Sequence, residues 1–465
     1  MYSPDGDKLA YVTNESDNVK NTDVYLAAAD GSDPRNLEIG ETGAEAQLAD
    51  WVPDGNRLLV GDNSSGIPRP GIYNIETDEV TWYGGEHEEQ PTVFAGDGRR
   101  FLSVRTQEAT KMPVVYDIET NQSRELDLPE GVVGIGHQGG NRILDQDRVL
   151  LTHTTPTSRT ELLTYNLTTD KTETLLAPDH GPFESKEFAD ATYFTFESDG
   201  IPKTRQAAVE HDPYDSIEIG GLFFDSGERP SPLVVNPHGG PQVMDDKSFD
   251  LRTQFLVQRG YSVVQINYRG SAGRGREFRR ELFDDWGGAE QGDIATGVEY
   301  LLDEFDWLNE NQVAVFGGSF GGYSAYWQLL QYPDLYDAGV AWIAVSDLKR
   351  MYEDTMPHLK TELLKKSIGT PWENPDLYRK RSPIEYVENL NAPLFILHGV
   401  NDQRVPVSQA RLFREALLNN GYKEGSNEDF EYRELGEEGH ASSDIDQKKR
   451  LFRLLDDFFG RRLKI

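Results

Sequence analysis

Three residues in the second half of the chain are of types that together perform nucleophilic chemistry. Ser319 sits in Gly317-Gly318-Ser319-Phe320-Gly321-Gly322, directly after the apolar run Val313 to Phe316 and before a helical pattern. A serine on a sharp strand-to-helix turn needs glycine on both sides, because the backbone there is strained and closely packed, and the turn exposes the hydroxyl at a helix N-terminus. A serine hydroxyl is a weak nucleophile at neutral pH, so a histidine base and a carboxylate that orients it should follow in the order Ser, Asp, His. Of the nine histidines only His358, His398 and His440 come after Ser319. His440 lies in Glu437-Glu438-Gly439-His440-Ala441, between the last strand pattern and the last helix pattern, which is the expected seat of the base. His358 falls in a polar helical region and His398 ends a strand pattern, so both read as structural. Asp402 follows the apolar strand that ends in Leu397-His398-Gly399 and is the carboxylate of choice; Asp334, Asp337, Asp347, Asp354 and Asp376 fall in loops or helices.

Acyl chemistry of this kind also needs two donors aimed at the developing oxyanion. The N-H of Phe320, next after the serine, is one. The other is expected from a loop after an early strand, where His238-Gly239-Gly240-Pro241 follows Leu233 to Asn236, and Gly240 is the candidate.

The elements that must place these residues alternate between strand and helix. Strands are expected at Leu233 to Asn236, Ser262 to Asn267, Val313 to Phe316, Gly339 to Val345, Pro393 to Leu397 and Phe430 to Leu435. Helices are expected at Phe249 to Arg259, Gly292 to Glu304, Gly322 to Gln331, Ser408 to Asn419 and Gln447 to Gly460. That pattern predicts a parallel α/β sheet with its site at the strand C-termini.

The first half repeats instead. Tyr73-Asn74-Ile75-Glu76-Thr77-Asp78, Tyr116-Asp117-Ile118-Glu119-Thr120-Asn121 and Tyr165-Asn166-Leu167-Thr168-Thr169-Asp170 are copies, with a looser one at Tyr25 to Asp30, and the tyrosines are 48, 43 and 49 residues apart. Asp-Gly turns at Gly6, Gly55 and Gly98 precede alternating strands at Leu9 to Val12, Leu58 to Val60 and Phe101 to Val104. Units of this length, about four strands each, match β-propeller blades. Residues 1-185 hold about four such units, so the propeller is small or earlier blades are missing; residues 190-465 form the second domain.

Composition narrows the function classes. With 80 Asp and Glu against 46 Lys and Arg the net charge is -34, which repels nucleic acid and anionic membrane surfaces over most of the protein. So large a dispersed charge, with arginine favoured over lysine, reads as a halophile's surface, stable where concentrated salt shortens the Debye length. There is no cysteine, so no disulfide, thiolate nucleophile or cysteine-based metal site is available, and no metal or organic cofactor is implied. No window approaches 18 consecutive apolar residues and Met1 to Ala10 is polar, so the expectation is a soluble cytoplasmic protein, with a homo-oligomer left open.

Pro237-His238-Gly239-Gly240-Pro241, Asn267-Tyr268-Arg269-Gly270-Ser271, Trp286-Gly287-Gly288-Ala289-Glu290, Gly317 to Gly322, Asn401-Asp402-Gln403-Arg404-Val405-Pro406 and Gly439-His440 resemble, in order and spacing, the prolyl oligopeptidase family of serine peptidases, most of all its acylaminoacyl-peptidase branch. The resemblance covers about residues 195 to 465. It implies a β-propeller followed by an α/β-hydrolase domain and hydrolysis of short peptides by Ser319, Asp402 and His440, with Arg404 binding a substrate carbonyl. It also implies the His-Gly-Gly-Pro form of the oxyanion loop rather than a tyrosine donor. Dipeptidyl-peptidases of the family need a Glu pair on the propeller for the substrate amine; Glu88-Glu89 is a pair, in a chain where acidic pairs are common. Other readings of the same residues are an esterase of small acyl esters and a protein-interaction module whose hydrolase is silent.

Overall fold

The computed structural model describes residues 1-14, 21-135, 142-209, 213-440 and 444-463. Ala441 and part of the charged segment Asp199 to Ile219 lie outside them. The described chain divides into two compact units: Met1-Phe188 with Asp246-Phe249 and Gly273-Phe278, and Ala189-Asp245 with Asp250-Ala272 and Arg279-Ile465.

The first unit is built of antiparallel meanders. Lys8-Thr13, Asp23-Ala28 and Arg35-Asn36 form a three-stranded sheet, and Gln47-Trp51, Arg57-Asp62, Arg69-Asn74 and Glu79-Trp82 a four-stranded one. Two more four-stranded meanders, spanning residues 88-125 and 132-176, join into one eight-stranded sheet through a single parallel pair, Lys111 with Val132. The repeat has a backbone cause. Gly6, Gly55 and Gly98 adopt φ of 81°, 73° and 66°, while Asp78, Asn121 and Asp170 adopt 54°, 55° and 54°, the left-handed region that glycine and Asx residues tolerate best. In two copies the leading tyrosine donates to the turn carboxylate: Tyr73 to Asp78 at 2.5 Å and Tyr165 to Asp170 at 2.9 Å. Side chains from neighbouring sheets share cores, Ala10, Val24, Leu58 and Tyr73 in one and Leu59, Phe94, Phe101 and Tyr116 in the next.

Tyr116 breaks the pattern and turns to Glu89. The Glu89 carboxylate is buried and accepts from Ser103 Oγ at 2.7 Å, Tyr116 Oη at 2.8 Å, and Arg105 Nε and Nη2 at 2.9 and 2.8 Å. Removing it strands a hydroxyl pair and the arginine, a loss of about 3 kcal/mol. Glu89→Ala is expected to lower the stability of the first unit by that amount in thermal or denaturant unfolding.

The second unit centres on an eight-stranded sheet in the order Thr192-Ser198, Ile217-Phe224, Ser262-Asn267, Ser231-Val235, Leu308-Gly318, Ala338-Trp342, Leu394-His398, Phe430-Glu434. Ile217-Phe224 is antiparallel to both neighbours, and the strands from Ser262-Asn267 onward run parallel to one another. The six strands expected here occur: Ser262-Asn267 as expected, three with ends shifted by one or two residues, the one expected to reach Val345 ending at Trp342, and Leu308-Gly318 starting earlier than its apolar run. The first two were not expected; in Ile217-Phe224, Gly220 and Gly221 interrupt the apolar pattern that marks a strand. They are glycines because a Cβ at these positions would meet the rings of Tyr193 and Phe194 on the paired strand. Helix Ala289-Glu304 begins three residues before the expected Gly292. Its Glu299 carboxylate gathers the N-H groups of Lys203, Thr204 and Arg205, which gives the charged segment after Asp199 a structural anchor.

Candidate active site

Ser319 stands at φ 60°, ψ -120°, between strand Leu308-Gly318 and helix Phe320-Gln331. A β-carbon-bearing residue at positive φ is strained, and the surroundings show what holds it there. A Cβ on Gly317 would collide with the Gly321 backbone, one on Gly321 with the Pro237 carbonyl, and one on Gly322 with Ala344 and the Trp342 carbonyl. The glycines therefore let the turn, the sheet and the 237-241 loop touch through main chain alone. The Ser319 N-H is bound by Trp342 O at 3.0 Å, and Ser319 O caps the first helical turn by accepting from Tyr323 N.

The Asp402 carboxylate is buried and its two oxygens have separate tasks. Oδ1 accepts from the N-H groups of Arg404 at 2.9 Å and Val405 at 3.0 Å, and Oδ2 accepts from His440 Nδ1 at 2.7 Å. This leaves Nε2 as the basic nitrogen of His440. Gly399 makes the approach feasible, since a Cβ there would strike the carbonyls of Glu438 and Gly439 in the loop that carries His440. Asn401 N donates to Glu438 O at 3.0 Å, and the buried Glu438 carboxylate pairs with Arg450 of helix Ile445-Arg462. His398 is fully buried and donates from Nε2 to Val405 O at 2.7 Å; burial holds its pKa below the ordinary value, so it is a neutral spacer behind Asp402.

Phe320 and Gly240, the residues expected to supply the oxyanion donors, come to the same cavity. Among the described residues neither N-H has an acceptor, and both residues line the cavity that also holds Ser319 and His440. A Cβ on the neighbouring Gly239 would lie 3.5 Å from Ser319 Cβ, so the 237-241 loop and the serine turn are in van der Waals range. The loop is braced by His238, whose ring stacks on Tyr268 at 4.2 Å and reaches Gly239 O at 2.9 Å and Ser271 Oγ at 2.8 Å. Burial pushes the His238 pKa down to about 4, so the brace is neutral at physiological pH. Trp286, in another of the sequence motifs, walls the cavity, and Glu290 of the same motif binds the Gly287 and Gly288 amides; burial pushes Glu290 up to about 7.

The cavity measures about 340 Å³. Its apolar wall comes from Trp286, Trp342, Val345, Met351, Leu363 and Val405. Leu363 lies in Lys360-Lys365, a stretch wound as a π-helix, a form that recurs at functional sites. Arg404 is exposed at the cavity edge with its backbone fixed at both ends, by Asp402 Oδ1 and by Thr355 Oγ1, and among the described residues its guanidinium forms no ion pair. All six residues read from the sequence, Ser319, Asp402, His440, Phe320, Gly240 and Arg404, thus meet around one cavity or directly behind it. The apolar wall and Arg252, which also lines the cavity, were missed. Met351 and Leu363 lie in a region between two strands that shows no strong period, and nothing marked it as a wall rather than core.

Elsewhere, both members of Glu88-Glu89 accept hydrogen bonds from within the protein. Glu89 is committed to its buried network, and Glu88 Oε2 accepts from the N-H groups of Gly273 at 3.2 Å and Gly275 at 3.1 Å. Among the described residues no group of three or more metal-ligating side chains occurs, and no helix is long and apolar enough to cross a membrane.

The chain is similar to several known proteins. Residues 247-465 match the model of the Prolyl oligopeptidase family. The dipeptidyl aminopeptidase BIII of Pseudoxanthomonas mexicana is 29% identical over 240 residues, 50% of this chain and 34% of that protein. The acylamino-acid-releasing enzyme of Rattus norvegicus is 32% identical over 221 residues, 45% of this chain and 30% of that protein. The alignments thus span about a third of the length of the curated relatives. Among solved structures, a puromycin-hydrolyzing peptidase of Mycobacterium tuberculosis superposes with a TM-score of 0.83 at 23% identity, covering 100% of this chain and 69% of that one. The acylaminoacyl peptidase of Pyrococcus horikoshii gives 0.75 at 23% identity, covering 98% and 69%.

Proposed function

From a C-terminal half that matches the prolyl oligopeptidase family, we propose that this chain is a serine peptidase of short peptides, of the oligopeptidase or acylaminoacyl-peptidase type. The observation that carries the reading is the convergence of Ser319 and His440 on one cavity, with Asp402 at 2.7 Å behind the histidine and two unbound N-H groups beside the serine.

In this reading His440 Nε2 takes the Ser319 proton as Oγ attacks the scissile carbonyl. The N-H groups of Phe320 and Gly240 receive the oxyanion, worth about 3 kcal/mol per donor in such sites. His440 then passes its proton to the leaving amine, and a water repeats the sequence to hydrolyse the acyl-enzyme. Arg404 binds a carbonyl of the substrate main chain on the acyl side. The repeated left-handed turns and shared inter-sheet cores of the first unit support four propeller-type blades over residues 1-185, before a peptidase domain at 190-465.

The apolar wall favours a large uncharged side chain on the acyl side of the cut bond, because a carboxylate there would lose its hydration without gaining a partner. Since Glu88 and Glu89 are both engaged, this pair is not offered to a free substrate amine, and N-acetylated peptides should be accepted. The test is cleavage of acetylated and free peptides carrying Phe, Leu or Asp at that position, followed by mass spectrometry. The expected result is a preference of at least about tenfold in kcat/KM for Phe or Leu over Asp, with acetylated peptides cut. Cleavage confined to matched esters would replace this reading with that of an esterase.

A further inference from the structure

A second cavity of about 350 Å³ adjoins the first, and Arg252 and Trp342 line both. Glu438, two residues before His440, also lines the second. His440 protonates the leaving nitrogen in the mechanism above, so the side of the His440 loop is the side on which the leaving residue lies.

The charges around this second cavity are unusual for the chain. Its carboxylates are committed: Asp250 caps helix Leu251-Gln258 by accepting from Arg252 N at 2.8 Å, and Glu438 is buried against Arg450. Its cations are held less tightly. The Arg252 side chain meets Asp250 only at 3.4 and 3.5 Å, against 2.7 and 2.9 Å in the bidentate pair Arg411-Glu434, and it stays 44% exposed. Lys448, which also lines the cavity, is exposed and forms no ion pair among the described residues. In a protein of net charge -34 this leaves a weakly paired Arg252 and Lys448 lining a pocket to which, besides the two committed carboxylates, Leu251, Trp342, Gln447, Leu451 and Phe452 contribute. A small anion attached to an apolar body fits that combination.

We propose that the second cavity is a leaving-group subsite that receives the residue after the cut bond when it is the last of the peptide, with its free α-carboxylate held by Arg252 and Lys448. The inference rests on the peptidase reading and adds to it a preference for releasing a single C-terminal residue.

The experiment compares acetyl-Ala-Phe-Ala ending in a free carboxylate with the same peptide ending in an amide, as a ratio of kcat/KM measured within each protein. The ratio cancels any general loss of activity in a variant. The wild type is expected to favour the acid about tenfold, the size of one charge-assisted hydrogen bond. Arg252→Gln should bring the ratio close to one, Arg252→Lys should keep most of it, and molar KCl should compress it. A wild-type ratio near one, or a ratio that survives in the Arg252→Gln, Lys448→Gln double variant, overturns the subsite. A wild type that labels with a fluorophosphonate yet cuts neither peptide overturns the peptidase reading itself, and the subsite with it.

Discussion

Ser319→Ala is expected to lower kcat for peptide hydrolysis by about six orders of magnitude, leaving only what the oxyanion donors and substrate binding supply. The size of the loss follows from the roles. Without Oγ no acyl-enzyme forms, and His440 has only a water to activate at a site shaped for an attached hydroxyl. The fold should be unaffected, because the Ser319 contacts that hold the turn, N-H to Trp342 O and C=O to Tyr323 N, are main chain. Steady-state rates on an acetylated peptide, with melting temperature and fluorophosphonate labelling in parallel, test the point. Retention of more than about a hundredth of the wild-type rate would remove Ser319 from the role of nucleophile.

Asp402→Asn should cost about 10⁴-fold in kcat while the protein stays folded. The hydrogen bonds of Asp402 determine which way the new amide must face. Oδ1 is required as an acceptor by the N-H groups of Arg404 and Val405, so the carbonyl oxygen of asparagine takes that place and its NH₂ is turned to His440. An N-H donor opposite Nδ1 forces the histidine into the tautomer with its proton on Nε2, which cannot accept the serine proton. The comparison that decides is Asp402→Asn against Asp402→Ala. The alanine variant leaves both loop amides unbound and should lose stability as well as rate, whereas the asparagine variant should lose rate with little change in unfolding temperature. Equal stability losses would mean that Asp402 is chiefly a structural cap.

How much of this could be read in advance depended on how local each signal was. The meeting of Ser319, Asp402 and His440 was legible because each stands just past an apolar strand, and parallel strands deliver their C-termini to one edge of the sheet whatever lies between. The repeat was legible for a similar reason: Gly55 or Asp78 occupies a backbone conformation that few residues accept, and so marks its own position. The apolar wall was not, since Met351 and Leu363 differ from core residues only in what they face. Arg252 was hidden because an arginine on a helix is ordinary in sequence; its interest comes from the loose pairing with Asp250 and the cavities on either side of it. The strands at Thr192-Ser198 and Ile217-Phe224 were hidden because their tyrosine and phenylalanine rings lie over glycines, a pairing visible only across the sheet.

The turn that presents Ser319 at the head of helix Phe320-Gln331 has one more consequence, joined to the absence of cysteine from the chain. A thiol introduced at this position would be the only one among these 465 residues. The helix dipole and a protonated His440 would both favour its ionised form, so its rate of alkylation as a function of pH would trace the electrostatic potential at the reacting atom. The head of that helix is thus an address at which this chain can be labelled once, and only there.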